Sequence, residues 1–219
     1  MSGLIGRKIV VTAGPTIEAI DPVRFLSNRS SGKQGYLIAE ALAHRGADVR
    51  LVSGPTCLPC PLDVTRIDVE SARDMLAAVE AELPAAAFIA VAAVADWRPA
   101  ETHARKAEKS AHGVTLQLVE NPDILKSVSG LGHNRPPLVI GFAAETHDVP
   151  ERARAKRLRK GCDWIVANDV SGDVMGGDKN AAVLITNDSE ESWPRTQKVA
   201  IATLLADRIE AALARMREL

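Results

Sequence analysis

Short apolar runs alternate with stretches of helical periodicity along most of this chain, and that alternation restricts the fold more than any other feature. "RKIVVTAG" is a β-branched run ending in glycine, "KQGYLIAEALAHRG" follows with apolar residues three and four apart and a stop at Gly46, and "ADVRLVSG" is the next run. The rhythm returns in "TRIDV", "SARDMLAAVEAEL" and "AAFIAVAAV", then in "PLVIGFAAE", "VPERARAKRLRKG" and "DWIVAND". Runs apolar on both faces and separated by helices predict a largely parallel sheet covered on two sides. After Asn168 the pattern changes to a Gly/Asp-rich loop "SGDVMGGDKN", a strand "AAVLITN", a polar turn "DSEESWPR" and a closing amphipathic helix from Lys198 to about Arg217. No linker divides residues 1–219, which read as a single domain.

With 46% hydrophobic and only 3% aromatic residues, the core is expected to be Ala, Val, Leu and Ile. At 219 residues the chain buries such a core without metal or disulfide help. Lys and Arg total 27 against 28 Asp and Glu, so no general field draws nucleic acid or an anionic membrane, and any anion site is local. Cys57, Cys60 and Cys162, with no secretory h-region and no run long enough to span a bilayer, point to a reducing cytoplasm. "CLPC" lacks a second cysteine pair and the histidines are scattered, which argues against tetrahedral zinc.

Ligands of open α/β sheets gather beyond the carboxyl ends of the strands, so the residues following each run carry the functional information. "TAGPTIEAIDPVRFLSNRSSGKQG" is too long for a dinucleotide turn and has no G-x-G-x-x-G. Its Ser30, Ser31, Gly32 and Lys33 sit just before a helix N-terminus, where free N–H groups favour a phosphate. A serine cap is the plain alternative, although Arg24, Asn28 and Arg29 add donors that a cap does not need.

Asp96, after "FIAVAAV", either holds Mg²⁺ or a ribose or base edge, or caps a turn before Pro99. Arg98 to Gly113 is polar, basic and without apolar period, a mobile loop of about 98–113 that would bring Lys106 and Lys109 over a polyphosphate. "ENPDIL" reads first as a helix start with Asn121 as cap and Pro122 at the first helical position. Phe142 in "GFAAET" either stacks on a base or belongs to the core. Lys156 and Lys160 share a helix face, solvated or meeting phosphate and base oxygens. A short-chain dehydrogenase drops out because Glu40, not lysine, follows Tyr36 at the required distance, and no P-loop is present.

"TAGPT", "DPVRFLSNRSSGKQG", "AAVADWRPA", "NPDIL", "GFAAET", the Lys156/Lys160 helix and "VANDV" stand in this order over nearly the whole chain. Together they resemble bacterial phosphopantothenoylcysteine synthetase, the phosphopantothenate-cysteine ligase of coenzyme A biosynthesis. The resemblance implies an α/β, Rossmann-like three-layer domain with a C-terminal dimerisation strand and helix. It also implies a two-step reaction. The carboxylate of 4′-phosphopantothenate attacks the α-phosphate of CTP with loss of pyrophosphate, and the amine of L-cysteine then displaces CMP from the acyl-cytidylate.

By the same matching, Asn28 polarises the acyl carbonyl, Arg24 supports the intermediate and Lys106 meets the triphosphate. Ala90, Val91, Ala92 and Asp96 line the nucleotide site, with Asp96 also reached by Mg²⁺. Pro122, Asp123, Ile124, Leu125, Phe142, Lys156 and Lys160 complete the CTP contacts, and Ser30, Ser31 and Gly32 face phosphate. The loop "RKAEKS" departs from the family's lysine-rich pattern, with Glu108 where a second lysine is expected, and this leaves Lys109 without an assigned role.

A homodimer paired through "AAVLITN" is a further implication. So is fusion, in many bacteria, to an upstream flavin-dependent phosphopantothenoylcysteine decarboxylase; a chain opening on "MSGLIGRK" is then a stand-alone synthetase or an excised half. A non-catalytic nucleotide-binding module would keep Lys156, Lys160 and Phe142 but would have no use for Arg24 and Asn28.

Overall fold

The computed structural model describes residues 3–106, 108, 114–145, 147–169 and 177–216. The first half of the chain runs β1 (Lys8–Ala13), β2 (Ile17–Ala19), β3 (Phe25–Ser27), α1 (Lys33–Ala43), β4 (Asp48–Ser53), β5 (Val64–Asp68), α2 (Ala72–Ala81) and β6 (Ala87–Ala90). There follow β7 (Trp97–Pro99), β8 (Leu118–Glu120), α3 (Ile124–Ser129), β9 (Leu138–Glu145), α4 (Val149–Lys160), β10 (Trp164–Asp169), β11 (Lys179–Ile185), β12 (Glu190–Gln197) and α5 (Lys198–Arg215).

Eight of these strands make one sheet in the order β12-β11-β10-β9-β6-β1-β4-β5. From β5 to β10 every pairing is parallel, and β11 and β12 close the other end antiparallel. Helices cover both faces, as the two-sided apolar runs require. One core joins β1, β4 and β6 to α1 and α5 through Ile9, Ile38, Leu42, Leu51, Ile201 and Ile209. The opposite core joins the sheet to α2, α3 and α4 through Val10, Met75, Phe88, Val128, Ala153 and Ile165. The expected three-layer α/β architecture is the one observed. Among the described residues no helix is long and apolar enough to cross a membrane.

Four local expectations change. The "DSEESWPR" turn is largely strand β12, whose single buried apolar side chain is Trp193. A strand at a sheet edge keeps one side solvated and tolerates Pro194, so its sequence reads as polar. The cap of α3 is Asp123, not Asn121: its side chain accepts from the Lys126 N–H at 3.1 Å, and Pro122 lies outside the helix. A carboxylate three residues before a free N–H is the better acceptor at a helix start.

The long segment after β1 is not all loop, because β2 and β3 pair as an antiparallel hairpin. The apolar run "FIAVAAV" leaves the sheet after Ala90. Strand "AAVLITN" has both edges occupied, by β10 and β12, so the free edge at this end of the sheet belongs to β12. The Gly-rich segment 170–176 lies outside the described residues.

Candidate active site

Crossover connections leave β1 in one direction for β4 and return in the other for β6, so the strand order reverses between β1 and β6. A crevice opens at such a reversal, beyond the carboxyl ends of the strands. Here it is floored by main chain. The Thr12 hydroxyl at the end of β1 accepts from the Val91 and Ala92 N–H groups, both at 3.2 Å. Ala93 N–H donates to Gly14 O at 2.9 Å, and Ala95 N–H to Thr16 Oγ1 at 2.9 Å. These four bonds draw residues 91–95 out of the sheet and lay them across its end. The alanines there leave the space above open.

The resulting cavity has a volume of about 670 Å³, within the range of small-ligand pockets. Of the residues singled out from sequence, it brings together Ser30, Ser31, Gly32, Ala90, Val91, Ala92, Asp96, Pro122, Asp123, Ile124, Leu125, Phe142, Lys156 and Lys160.

One wall is cationic and partly dry. Lys156 Nζ donates to the Phe142 carbonyl at 3.0 Å, and Lys160 is paired with the Asp123 carboxylate. Burial lowers the Lys156 pKa from the usual lysine value; Lys160 and Arg159 push the same way, while Glu145 and Asp123 oppose them. A partly buried ammonium with one carbonyl partner retains donors for a ligand oxygen.

The opposite wall is the N-terminus of α1. Its cap is Gly32 in the left-handed region at φ 76°, a conformation suited to glycine, and no side chain caps the helix. Ser30 and Ser31 turn their hydroxyls to the Gly32 and Lys33 N–H groups at 3.3 and 3.4 Å instead. The serine-cap alternative therefore fails, and the start of the helix faces the cavity. Gly35 lets α1 approach this closely: a Cβ there would lie 2.6 Å from Ala13 Cβ.

Three expected residues stand apart from the lining. Asn28 sits at its border, with Nδ2 donating to the Ala93 carbonyl at 3.0 Å. Arg24 is held on the hairpin by Asp21, which accepts from its Nε at 2.8 Å and its Nη2 at 2.5 Å. Lys106 is exposed, and Lys109 and Gly113 lie outside the described residues. Among the described residues no cluster of three His, Cys, Asp or Glu is placed to hold a metal ion. Asp96 is exposed at the cavity, whose lining also carries the carboxylates of Glu120 and Asp123.

The sequence reading missed Thr12, Gln34, Asn168, Asn180 and Lys198, all of which line the cavity. One signal was available for Lys198: it occupies the first position of α5, where the helix dipole disfavours a cation.

Known proteins resemble this chain over most of its length. Residues 4–213 match the family described as the DNA/pantothenate metabolism flavoprotein C-terminal domain, and the chain belongs to that family. It is 48% identical over 205 residues to the coenzyme A biosynthesis bifunctional protein CoaBC of Vibrio cholerae, covering 91% of this chain and 51% of the relative. The chain thus spans about half the length of the curated relatives it matches.

The crystal structure of the C-terminal domain of a CoaBC protein superposes with a TM-score of 0.82 at 41% identity, covering 97% of this chain and 98% of that one. The DNA/pantothenate metabolism flavoprotein of Streptococcus pneumoniae superposes with a TM-score of 0.79 at 25% identity, covering 94% and 100%.

Proposed function

We propose that the chain is a phosphopantothenate-cysteine ligase of coenzyme A biosynthesis, which activates 4′-phosphopantothenate with CTP and transfers the acyl group to L-cysteine. The observation that carries this reading is one cavity bounded by the Lys156/Lys160 wall on one side and the uncapped α1 N-terminus on the other. Those walls suit a nucleotide, with base or sugar-side oxygens at the lysines and phosphates at the helix. Membership of the family, and relatives named for coenzyme A biosynthesis, support the same pathway.

In the first step a carboxylate must approach an anionic phosphate, so the repulsion has to be offset. The Lys156 and Lys160 ammonium groups and the first turn of α1 beyond Lys33 supply that field. Lys106, which lies outside the lining, adds to it where its loop reaches the phosphates. Asp96 is the residue that would hold Mg²⁺, which would supply further charge neutralisation there. In the second step Asn28 Nδ2, already directed at the cavity border, polarises the acyl carbonyl as the amine adds. Arg24 supports the intermediate from the hairpin.

Pairing of two copies and an upstream flavin-dependent decarboxylase in the full-length protein belong to the same proposal, as does a cytoplasmic location. Half-length coverage of relatives called bifunctional supports the fusion.

The test is pyrophosphate release with Mg²⁺ and 4′-phosphopantothenate, comparing CTP with ATP, before and after L-cysteine is added. Release with CTP, then CMP and the cysteine amide, is the expected result. No release with either nucleotide from folded protein would overturn the reading.

A further inference from the structure

The connection from β4 to β5 carries two exposed thiols, Cys57 and Cys60, on either side of Leu58 and Pro59. Neither lines the cavity. Two-residue spacing is that of a dithiol able to close on itself. Pro55 and Pro59 remove N–H donors from this stretch, and among the described residues no backbone-to-backbone hydrogen bond involves residues 55–60.

Side chains hold the loop instead. The Thr56 hydroxyl donates to the Tyr36 phenol oxygen at 3.0 Å and accepts from the Leu58 N–H at 3.4 Å. Arg66 Nη1 donates to the Leu58 carbonyl at 3.2 Å. The Cys60 thiol donates to the Val64 carbonyl at 3.4 Å, whereas nothing among the described residues engages the Cys57 thiol.

This loop is wedged against the start of α1. A Cβ added at Gly32 or at Gly14 would stand 2.8 or 3.0 Å from the Thr56 methyl. Tyr36, in the first turn of α1 and only 5% exposed, ties Thr56 to the end of β4 through Ser53 Oγ at 2.9 Å. The residue next to Cys57 therefore touches both the cap of α1 and its first turn.

We infer that Cys57 and Cys60 form a redox modification site, a dithiol that closes to a disulfide by exchange with glutathione disulfide and in closing draws Thr56 from the start of α1. Cys57, exposed and unengaged, reacts first. Its proton goes to solvent, its thiolate bonds to one glutathione sulfur, and the other glutathione leaves as the thiolate. Cys60, deprotonated in turn, attacks Cys57 Sγ and releases the second glutathione. The two cysteines lose two electrons and glutathione disulfide gains them.

Closure needs the two Cα atoms within about 7 Å. No backbone bond now holds residues 57–60 as a turn, and Pro59 at the third position disfavours the commonest type. The loop is thus reshaped on oxidation, and a disulfide this exposed is readily reversed by reductant. The start of α1 is the phosphate wall of the ligase reading above, on which the functional consequence alone rests: oxidation slows the first step.

Protein equilibrated in glutathione buffers, quenched with iodoacetamide and digested with trypsin yields both thiols in one peptide, residues 51–66. That peptide should lose two hydrogens and regain them with dithiothreitol, while Cys57→Ser and Cys60→Ser should carry glutathione instead. Amide exchange at residues 36–38 should quicken at least about tenfold in the oxidised parent, roughly 1.4 kcal/mol of lost protection. A Cys57→Ser/Cys60→Ser double variant, treated alike, should keep the slow rate. Pyrophosphate release from CTP and 4′-phosphopantothenate, without cysteine, should fall on oxidation and recover with dithiothreitol.

Thiols that stay free across the glutathione range, or that carry only glutathione, overturn the site. An internal disulfide with exchange at residues 36–38 unchanged overturns the link to α1. Equal pyrophosphate release by both forms overturns the functional consequence and leaves the ligase standing. No release from the reduced protein removes the ligase reading, while mass and exchange still decide the dithiol.

Discussion

Asp123 does two jobs with its two carboxylate oxygens: Oδ1 accepts the Lys126 N–H that starts α3, and Oδ2 pairs with Lys160 of α4. The carboxylate thereby fixes the start of one helix against the end of another at the cavity wall. Asp123→Ala removes both contacts and should cost about 1–2 kcal/mol in urea unfolding, most of it from the cap. Asp123→Asn keeps a capping oxygen and should cost less than about 1 kcal/mol, because the pair with Lys160 is partly solvated. An alanine variant as stable as the parent would remove this role.

Lys156 gives the site a pH dependence. Its folded pKa lies below the lysine value of 10.5, so the proton is held less well in the fold than in the unfolded chain. In ligand-free protein this lysine therefore subtracts stability at pH below its folded value. The deficit is relieved as pH rises from that value to 10.5. Nucleotide affinity should move oppositely, falling as the ammonium deprotonates. Comparing parent and Lys156→Met by thermal unfolding and CMP titration from neutral pH to 10.5 isolates this group from other lysines. Identical pH profiles for the two proteins would contradict the assignment.

Gly35 sets how closely α1 lies on β1. An added Cβ would stand 2.6 Å from Ala13 Cβ and 3.2 Å from the Thr12 carbonyl, both fixed in the strand. Gly35→Ala should destabilise the protein by about 1–3 kcal/mol and weaken phosphate binding by moving the helix start. Gly130→Ala is the control, since its added Cβ would meet nothing nearer than 3.4 Å. Equal effects of the two changes would show that the close approach is unimportant.

Asn28→Asp separates the two steps of the proposed reaction. A carboxylate at this position cannot donate to the acyl oxygen, and it would also face the Ala93 carbonyl that Asn28 now donates to. Pyrophosphate release without cysteine should persist while transfer to cysteine falls by about 10²–10³, the usual cost of a lost oxyanion donor. Unchanged overall turnover would exclude the role.

The three thiols should react in two classes. Cys57 and Cys60 are exposed, while Cys162 is buried and its pKa is pushed up to about 11 by desolvation. With N-ethylmaleimide at neutral pH two thiols should label promptly and the third only after unfolding, since the thiolate is the nucleophile. Three fast labels would place Cys162 outside the core.

What the sequence made legible follows from where the signals were local. Periodicity over "KQGYLIAEALAHRG" and "VPERARAKRLRKG" located α1 and α4, and with them the serine-glycine segment and the Lys156/Lys160 face. Asp123 was hidden behind Asn121 and Pro122, since three consecutive residues all suit a helix start and only geometry chooses among them.

Lys198 and Asn180 were out of reach for a different reason. Antiparallel β11 and β12 carry the chain back to the carboxyl ends of the parallel strands, and no spacing rule announces that return. Arg24 shows the converse: a cation obvious in the sequence is held by Asp21, a partner three residues away.

Gln34 and the carbonyl of Lys198 meet across 164 positions of chain. A nascent polypeptide therefore carries β1, α1 and every parallel strand out of the ribosome while the face of α1 that α5 will cover is still bare. Until the final helix emerges, a half-made sheet displays apolar surface to its neighbours, a liability during synthesis. Core and crevice are completed by the same last helix, since α5 brings Ile201 to both and Lys198 to the cavity lining.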